Sequence, residues 1–228
     1  MNYEKLIEAY IQNLNAPDER ERSDRTDTKY KALPQTRDAR PWKNFIPKST
    51  NGTFKDLTNF DQNKIWVWSD LHFFHNNIIR YCNRPFSSTD HMNNCLLENF
   101  CNTVGPNDIS IWVGDVTFER HGIAITNNML QSLPGYKILV FGNHDLEKGK
   151  LKDLYFDEIH AAYQLGNLIF THYPWNVYVP DGYYSIHGHT HDKGTLHPKH
   201  INVSVEQVNY KPKSLASIIA DRGLNYIG

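Results

Sequence analysis

The stretch Ile65-Trp66-Val67-Trp68-Ser69-Asp70-Leu71-His72 joins a short apolar run directly to a carboxylate and an imidazole. The run Ile65–Ser69 has the length and the aromatic and β-branched content of a buried strand. Four more polar motifs each follow a predicted strand: Gly114-Asp115, Gly142-Asn143-His144-Asp145, His172 and Gly188-His189-Thr190-His191. An α/β fold places its reactive groups at strand ends, because the loops there are exposed but rigidly held.

The order of the other predicted elements defines the fold class. Short apolar runs alternate with helical patterns at first, and strands dominate later. Strands are predicted at Ile109–Val113, Tyr136–Phe141, Glu158–Tyr163, Leu168–Thr171, Tyr183–His187 and Ile201–Glu206. Helices are predicted at Asn76–Tyr81, Asp90–Cys101, Ile123–Leu133 and Ser214–Asp221. This order indicates an α/β protein with two packed sheets and outer helices.

The N-terminal part of the chain has a different composition. Apolar residues at helical spacing predict a short amphipathic helix over residues 3–14, which Pro17 follows as a stop signal. Residues 15–60 are charged and contain scattered prolines with little periodicity, which is typical of a linker or a loosely packed arm. We therefore predict two regions: 1–60 is an N-terminal helix with an extended charged arm, and 61–228 is the folded domain.

Charge and composition limit the classes of partner. The 228 residues carry a formal net charge of −1, so no overall field indicates nucleic acid or a membrane. The segment 29–55 is nevertheless basic, so it is either a solvated linker or a nucleic-acid contact. No run approaches the ~18 apolar residues of a membrane span. The three cysteines are odd in number and form no CxxC pair, which favours a reducing, cytoplasmic location. The oligomeric state stays open.

The five motifs together supply two aspartates, one asparagine and four histidines: Asp70, Asp115, Asn143, His72, His172, His189 and His191. Asp70 and His72 are two residues apart, so on extended backbone they would point to the same side and could grip one ion. His189 and His191 repeat that spacing, and Asp115 is a lone carboxylate that could bridge two ions. A mixed oxygen and nitrogen donor set suits Mn, Fe, Zn, Ni or Co.

The combination DxH, GD, GNH followed by an acidic residue, H and GHxH resembles the signature of the calcineurin-like metallophosphoesterase superfamily. The resemblance covers about residues 64–214. The stretches Ser69–Phe86 and Ile201–Glu206 also resemble small phosphoesterases of bacteria and tailed phages. The resemblance implies a four-layered αββα sandwich of two mixed β-sheets flanked by helices. It also implies a location in the bacterial cytoplasm, or in the host cell if the protein is phage-encoded.

The same resemblance implies roles for individual residues. The first of two divalent ions would be held by Asp70, His72 and His191, and the second by Asn143, His172 and His189, with Asp115 as the bridge. His144 would act as general acid or transition-state stabiliser, with Asp145 holding its ring. Mn²⁺ is the favoured ion, with Fe, Zn, Ni, Co and Mg as alternatives.

The implied reaction is hydrolysis of a phosphate ester by hydroxide held between the ions. A phosphodiester in a nucleotide-type substrate is the favoured reading, and a phosphomonoesterase or pyrophosphatase is the alternative. In another class, the scaffold could be a catalytically silent protein- or nucleic-acid-binding module. Three residues near the first motif are candidate substrate contacts: His75, Arg80 and Arg84. An arginine can fork onto a phosphate oxygen, although Arg80 could equally be a solvated helix residue.

Overall fold

The computed structural model describes residues 48–49, 52–118, 123–146, 153–175, 179–195 and 197–228. They belong to one compact unit, Pro47–Gly228. The predicted helix over residues 3–14 and the arm up to residue 47 lie outside the described residues, so both stay predictions. Within the described ranges, no helix is long and apolar enough to cross a membrane.

The described part of the chain contains ten strands and five α-helices. In chain order they are β1 (Lys48–Ser49), β2 (Ile65–Trp68), α1 (Asn76–Tyr81), α2 (Thr89–Cys101), β3 (Ile109–Trp112), α3 (Ala124–Ser132), β4 (Tyr136–Val140), α4 (Asn143–Leu146), β5 (Glu158–His160), β6 (Tyr163–Leu165), β7 (Leu168–Thr171), β8 (Tyr184–His187), β9 (His200–Asn202), β10 (Lys213–Ser214) and α5 (Leu215–Arg222). The four helices predicted within the described residues are confirmed to within one residue at each end, as are the strands that correspond to β2, β3, β4, β7 and β8.

Two mixed sheets form the centre of the fold. The first has the strand order β1-β5-β4-β3-β2-β10, in which β2 to β5 are parallel and both edge strands are antiparallel. The second has the order β6-β7-β8-β9, in which only β6 is antiparallel. Two mixed sheets with flanking helices confirm the predicted sandwich.

Apolar side chains that point alternately to the two faces of a strand explain why the sheets pack together. In β2, Ile65 and Val67 are fully buried in the apolar cluster that also holds Phe170 and Ile186 of the second sheet. On the opposite face of the first sheet, Trp68 stacks on Phe100 of α2 with ring centroids 5.2 Å apart. Full burial of each such apolar side chain contributes roughly 1.5–3 kcal/mol, so both faces of the first sheet stabilise the sandwich.

Two predicted strands were wrong in extent. The run Glu158–Tyr163 is not one strand, because a bend at residues 161–162 separates β5 in the first sheet from β6 in the second. The run Ile201–Glu206 ends early: β9 stops at Asn202, whose side-chain oxygen accepts the amide hydrogen of Ser204 in place of a sheet partner. The short elements β10 and α4 were not predicted, because a few residues show no periodicity.

The predicted arm also needs correction at its end. Strand β1 pairs with β5 in the first sheet, and Leu57 is only 3 % exposed within the core. The buried carboxylate of Glu158 accepts the amide hydrogen of Lys55 at 2.6 Å. The same carboxylate accepts the Tyr136 hydroxyl at 2.9 Å and lies 2.7 Å from His160 Nε2. Residues 48–49 and 52–60 therefore form part of the folded domain rather than a loose arm.

We expect Glu158→Gln to lower the free energy of unfolding by roughly 1–3 kcal/mol at pH 7, because buried donors lose a charged acceptor. Burial alone would raise the pKa of Glu158, but hydrogen bonds from His160, the Lys55 amide and Tyr136 lower it below the ordinary 4.5. The stability that the ionised Glu158 carboxylate contributes is therefore present above pH 4.5 and is lost as the pH falls through the lowered pKa. Urea unfolding at several pH values measures this effect.

The control for this prediction is Glu98→Gln, the same change at an exposed position of α2. We expect it to leave the free energy of unfolding within about 0.5 kcal/mol of the wild type. A Glu158→Gln deficit that stays constant between pH 7 and pH 3 would contradict the assigned role of the carboxylate.

Candidate metal centre

All five sequence motifs meet at one edge of the sandwich. Strands β2, β3 and β4 are parallel, so the residues that follow them, Asp70, Asp115 and Asn143, emerge at the same edge of the first sheet. His172 and His189 follow the parallel strands β7 and β8 of the second sheet. An isolated bridge between Ser69 and Ser204 joins the two sheets at this edge. The strand ends of both sheets therefore converge, as the sequence predicts.

The first group of candidate ligands is Asp70, His72 and His191. One donor atom from each residue lies within 4.8 Å of the others, and all three side chains are buried. Asp70 Oδ1 is 3.6 Å from His191 Nε2 and 4.0 Å from His72 Nε2. This is the set that the family resemblance assigns to the first ion.

The second group is Asp115, His172 and His189, whose donor atoms also lie within 4.8 Å of one another. Asp115 Oδ2 is 3.2 Å from His172 Nε2 and 3.6 Å from His72 Nε2 of the first group. The oxygen therefore lies between the two groups, which is the place for a bridging ligand. Asn143 begins α4 close to this carboxylate, because the amide of the next residue, His144, donates to Asp115 Oδ1 at 3.0 Å.

Buried atoms without hydrogen-bond partners test whether these residues fit a metal ion. Within the described part of the chain, Asp70 Oδ1, His72 Nε2, Asn143 Oδ1 and His172 Nε2 are buried and accept or donate no hydrogen bond. Burying a polar atom without a partner is costly, and native proteins rarely do so. These four belong to a larger set of such buried atoms, which also includes Trp68 Nε1 and His187 Nε2, but they are the ones on predicted ligands that a cation would satisfy. The donor set therefore fits two divalent ions.

Neighbouring groups fix which atom each ligand presents. Asp70 Oδ2 accepts the His189 amide at 2.8 Å and the Ser204 hydroxyl at 2.9 Å, which leaves Oδ1 for an ion. The Nδ1 of His172 lies 2.8 Å from the carbonyl oxygen of Val113. A carbonyl can only accept, so Nδ1 carries a proton, and Nε2 is the nitrogen whose lone pair can bind an ion once it is deprotonated.

The reason proposed from sequence for the paired ligands is wrong, because their backbone is not extended. Their φ angles lie in the left-handed region: 58° for Asp70, 52° for His72, 54° for Asp115, 64° for His189 and 49° for His191. Such conformations cost non-glycine residues roughly 1–3 kcal/mol each and cluster at functional sites. Two backbone bonds between the loops hold them: Asp70 N to Gly114 O and His72 N to Asp115 O, each 3.0 Å.

Two motif glycines are required for close approach rather than for a turn. A side chain on Gly142 would overlap Asp115 Oδ1, and one on Gly188 would overlap Ser69 Oγ and Asp70 Oδ2. Neither glycine has a positive φ. The glycines of GNHD and GHTH therefore make room for the two carboxylates.

The two histidines that face Asp115 differ in the direction of their pKa shifts. Burial lowers the pKa of His72 well below its ordinary value, so this imidazole is neutral and able to bind an ion. Burial alone would also lower the pKa of His172, but the Asp115 carboxylate raises it to about 9. A divalent ion beside Asp115 competes with this proton, so metal binding is coupled to proton release.

Asp145 has a different role from the one expected. The sequence placed its carboxylate against the ring of His144, but its hydrogen bonds go to the backbone. Oδ2 accepts the amides of Asp115 and Gly142, each at 2.8 Å, and Oδ1 accepts the amide of Val116 at 2.9 Å. Burial and the charge of Asp115 raise the pKa of Asp145 to about 6. Asp145 therefore positions the loops after β3 and β4.

His144 lies beside the first ligand group. Its ring centroid is 5.4 Å from that of His72 and 5.3 Å from that of Phe118. The residue is buried, with 9 % of its surface exposed. Its catalytic role stays a prediction.

The three predicted substrate contacts are placed differently from one another. His75 stacks on Phe118 with centroids 4.1 Å apart, and its ring is 5.4 Å from that of His72, so it borders the site. Arg80 is exposed on α1, with its guanidinium 5.5 Å from the ring centroid of Tyr81. Arg84 is buried and its donors are committed within the protein, so the structure assigns it a positioning role in place of the predicted phosphate contact.

Sequence reasoning gave no role to Glu206, which lies 3.1 Å from His191 Nδ1 through its Oε1 atom. Burial alone would raise the pKa of Glu206, but the His191 hydrogen bond and the charge of Arg84 lower it to about 2. Ser204, which donates to Asp70, was missed as well. These residues are more than 100 positions from the first motif, so no local spacing could indicate the contacts.

Comparisons with known proteins agree with this geometry. The sequence pattern of the family described as calcineurin-like phosphoesterase matches residues 63–220. The uncharacterized protein MJ1445 of Methanocaldococcus jannaschii is 37 % identical over 165 residues, which is 68 % of this chain and 89 % of that protein. The crystal structure of a protein of unknown function, AQ665 from Aquifex aeolicus, superimposes with a TM-score of 0.55 at 29 % identity, covering 68 % of this chain and 97 % of that one. From the matched family pattern and the intact ligand groups, this chain belongs to the calcineurin-like phosphoesterase family.

Proposed function

We propose that this metal-dependent phosphoesterase is a dinuclear phosphodiesterase that acts on a nucleotide-type substrate, with Mn²⁺ as the favoured ion. The observation that carries the dinuclear assignment is the position of Asp115 Oδ2, 3.2 Å from His172 Nε2 and 3.6 Å from His72 Nε2. One carboxylate oxygen between two buried histidine groups is the arrangement expected for a bridge between two ions.

When bound, two divalent ions neutralise the phosphate and activate water for attack. The chain contributes by holding the ligand atoms in place before substrate arrives. Asp70 and His191 are fixed by hydrogen bonds to their remaining donor and acceptor atoms, as His172 is by Val113. Such pre-organisation lowers the barrier, because the site does not have to reorganise when charge develops.

His144 is the group that we propose to hold a proton for the leaving oxygen. Its backbone amide is anchored on Asp115 Oδ1, so the side chain starts next to the bridging carboxylate. Phe118 lies beside its ring, with centroids 5.3 Å apart, and restricts where the ring can go. A positioned general acid contributes ~10²–10⁴-fold when the leaving group is a strong base.

The contacts that Arg84 and Arg80 already make within the protein favour a diester substrate over a monoester. A phosphodiester carries one negative charge, whereas a monoester carries up to two near neutral pH. Arg84 is committed to Asp70 O, Leu71 O and Glu206, and Arg80 lies exposed against Tyr81. Arg80 and Arg84, the cationic side chains near the first motif, are therefore not placed to neutralise the second negative charge of a monoester.

Aromatic rings beside both ligand groups support a substrate with planar substituents. Phe118 and His75 stack next to His72 in the first group. Tyr173 lies against His189 in the second group, with ring centroids 3.8 Å apart. Phe118, His75 and Tyr173 are all partly exposed. Nucleobases stack on such rings, with about 1–3 kcal/mol per base, and His75 is our proposed substrate contact among them.

The first test compares bis-p-nitrophenyl phosphate with p-nitrophenyl phosphate, using protein stripped of metal and reloaded with Mn²⁺. We expect faster turnover of the diester. Asp115→Asn should reduce it by more than the ~10–100-fold typical of an outer contact, because the bridge itself is weakened. Asp221→Asn, the same change at an exposed carboxylate, should have no effect.

The outcome of this comparison separates the alternatives. Turnover of the monoester alone would replace the proposal with a phosphomonoesterase, and a diphosphate substrate would test for a pyrophosphatase. Folded protein that binds no Mn²⁺ would reject the enzymatic proposal and leave the binding-module reading.

The second test uses the leaving group to examine His144. p-Nitrophenolate is a weak base that leaves without a proton, whereas a nucleoside alkoxide needs one. We expect His144→Asn to reduce hydrolysis of a dinucleotide far more than hydrolysis of bis-p-nitrophenyl phosphate, with the first effect in the range ~10²–10⁴-fold. His197→Asn, at an exposed histidine, is the matched control. Equal losses on both substrates would exclude His144 as the proton donor.

A further inference from the structure

We infer that Arg84 and Glu206 form a buried ion pair that positions the ligands of the first metal ion and so controls the occupancy of that site separately from the second. This inference rests on the proposed dinuclear centre. It assigns positioning roles to two residues outside the predicted ligand set.

The contacts of Arg84 reach both parts of the first ligand group. Its NH2 nitrogen donates to Asp70 O at 2.6 Å, and its NH1 nitrogen donates to Leu71 O at 2.8 Å, so it holds the backbone that carries Asp70 and His72. Its Nε and NH2 nitrogens lie 2.9 and 2.8 Å from Glu206 Oε1. The same oxygen of Glu206 is 3.1 Å from His191 Nδ1. One guanidinium is therefore linked to all three ligands of the first group.

The Glu206 contact also determines which nitrogen of His191 can bind an ion. A carboxylate paired with a guanidinium is ionised and can only accept, so Nδ1 carries the proton. Nε2 is then the nitrogen that can present a lone pair to an ion, and it lies 3.6 Å from Asp70 Oδ1. Removing such an outer partner typically costs 10–100-fold in metal affinity.

The burial of the pair argues that it does more than stabilise the fold. The side chains of Arg84 and Glu206 are 0 % and 5 % exposed. Buried ion pairs give little net stability, because the desolvation of both charges offsets their attraction. Here the pair sits where Asp70, His72 and His191 all have left-handed backbone, which needs a surrounding structure that holds it.

The two ligand groups differ in the partner that holds their histidine rings. In the second group, Nδ1 of His172 is held by the neutral carbonyl of Val113 at 2.8 Å, and the contacts of Arg84 do not include it. Loss of the Arg84–Glu206 pair should therefore weaken the first site while leaving the second. Cys82 also lies near His191 and Glu206, but the Arg84 charge 2.8 Å from Glu206 disfavours a further cation there.

The test is Mn²⁺ binding to the full-length protein, measured by equilibrium dialysis and electron paramagnetic resonance. We expect wild type to bind two ions and to show the spectrum of a spin-coupled pair. Glu206→Gln should keep one ion at wild-type affinity and bind the other at least ~10-fold more weakly, with the spectrum of an isolated ion at limiting Mn²⁺. Excess Mn²⁺ should restore the coupled spectrum. Arg84→Lys, which keeps the charge but cannot fork, should show the same pattern.

Glu158→Gln is the matched control, because it also removes a buried carboxylate that contacts a histidine, His160 at 2.7 Å. It should lose stability but keep both ions. If both pair variants still bind two Mn²⁺ ions tightly, the pair acts on neither site and the inference is overturned. An equal loss of Mn²⁺ affinity at both sites would also overturn it, since the pair would then act only through the fold. A wild-type protein that binds no ions would instead reject the dinuclear centre itself.

Discussion

The organising constraint of this molecule is the crowding of negative charge around Asp115. Its Oδ2 atom lies between His172 and His72, its Oδ1 atom accepts the amide of His144, and its backbone amide donates to Asp145. Asp145 is itself a buried carboxylate, and the charge of Asp115 helps to raise its pKa to about 6. Such a cluster of carboxylates is unfavourable without counter-charges. Divalent cations would offset this charge, in addition to the two histidines that already face Asp115.

That crowding also explains the backbone around the site. Carboxylates can approach the neighbouring loops only where a side chain is missing, which is why Gly142 and Gly188 stand against Asp115 and Asp70. Five of the seven candidate ligands adopt left-handed φ, and hydrogen bonds between the loops hold Asp70 and His72 in this conformation. The strain is local, and the apolar core between the sheets supplies the stability that tolerates it.

The structure brings the predicted ligand residues together, because they lie in short local motifs after strands. Asp70 and His72 could be recognised from eight consecutive residues, and the strand order then brought the other motifs to the same edge. The predicted extended backbone at Asp70 was wrong, because the spacing of residues in the sequence does not show that its φ is 58°. Arg84 was misassigned for a related reason. A guanidinium in a loop after a metal motif suits a phosphate, and only tertiary structure shows that Asp70, Leu71 and Glu206 already use its donors.

The fold corrections have the same origin. Residues 158–163 have the apolar content of one strand, and nothing local indicates that the bend at residues 161–162 moves the chain from one sheet to the other. That transfer matters for function, because it starts the second sheet and so brings His172, His189 and Glu206 to the ends of the first. Asp70 from one sheet accepts hydrogen bonds from His189 and Ser204 of the other, so the centre spans the seam between the sheets. Ions bound between the two sheets would stabilise the native sandwich over the unfolded chain, in which the ligands are far apart. Metal affinity and fold stability would therefore be coupled.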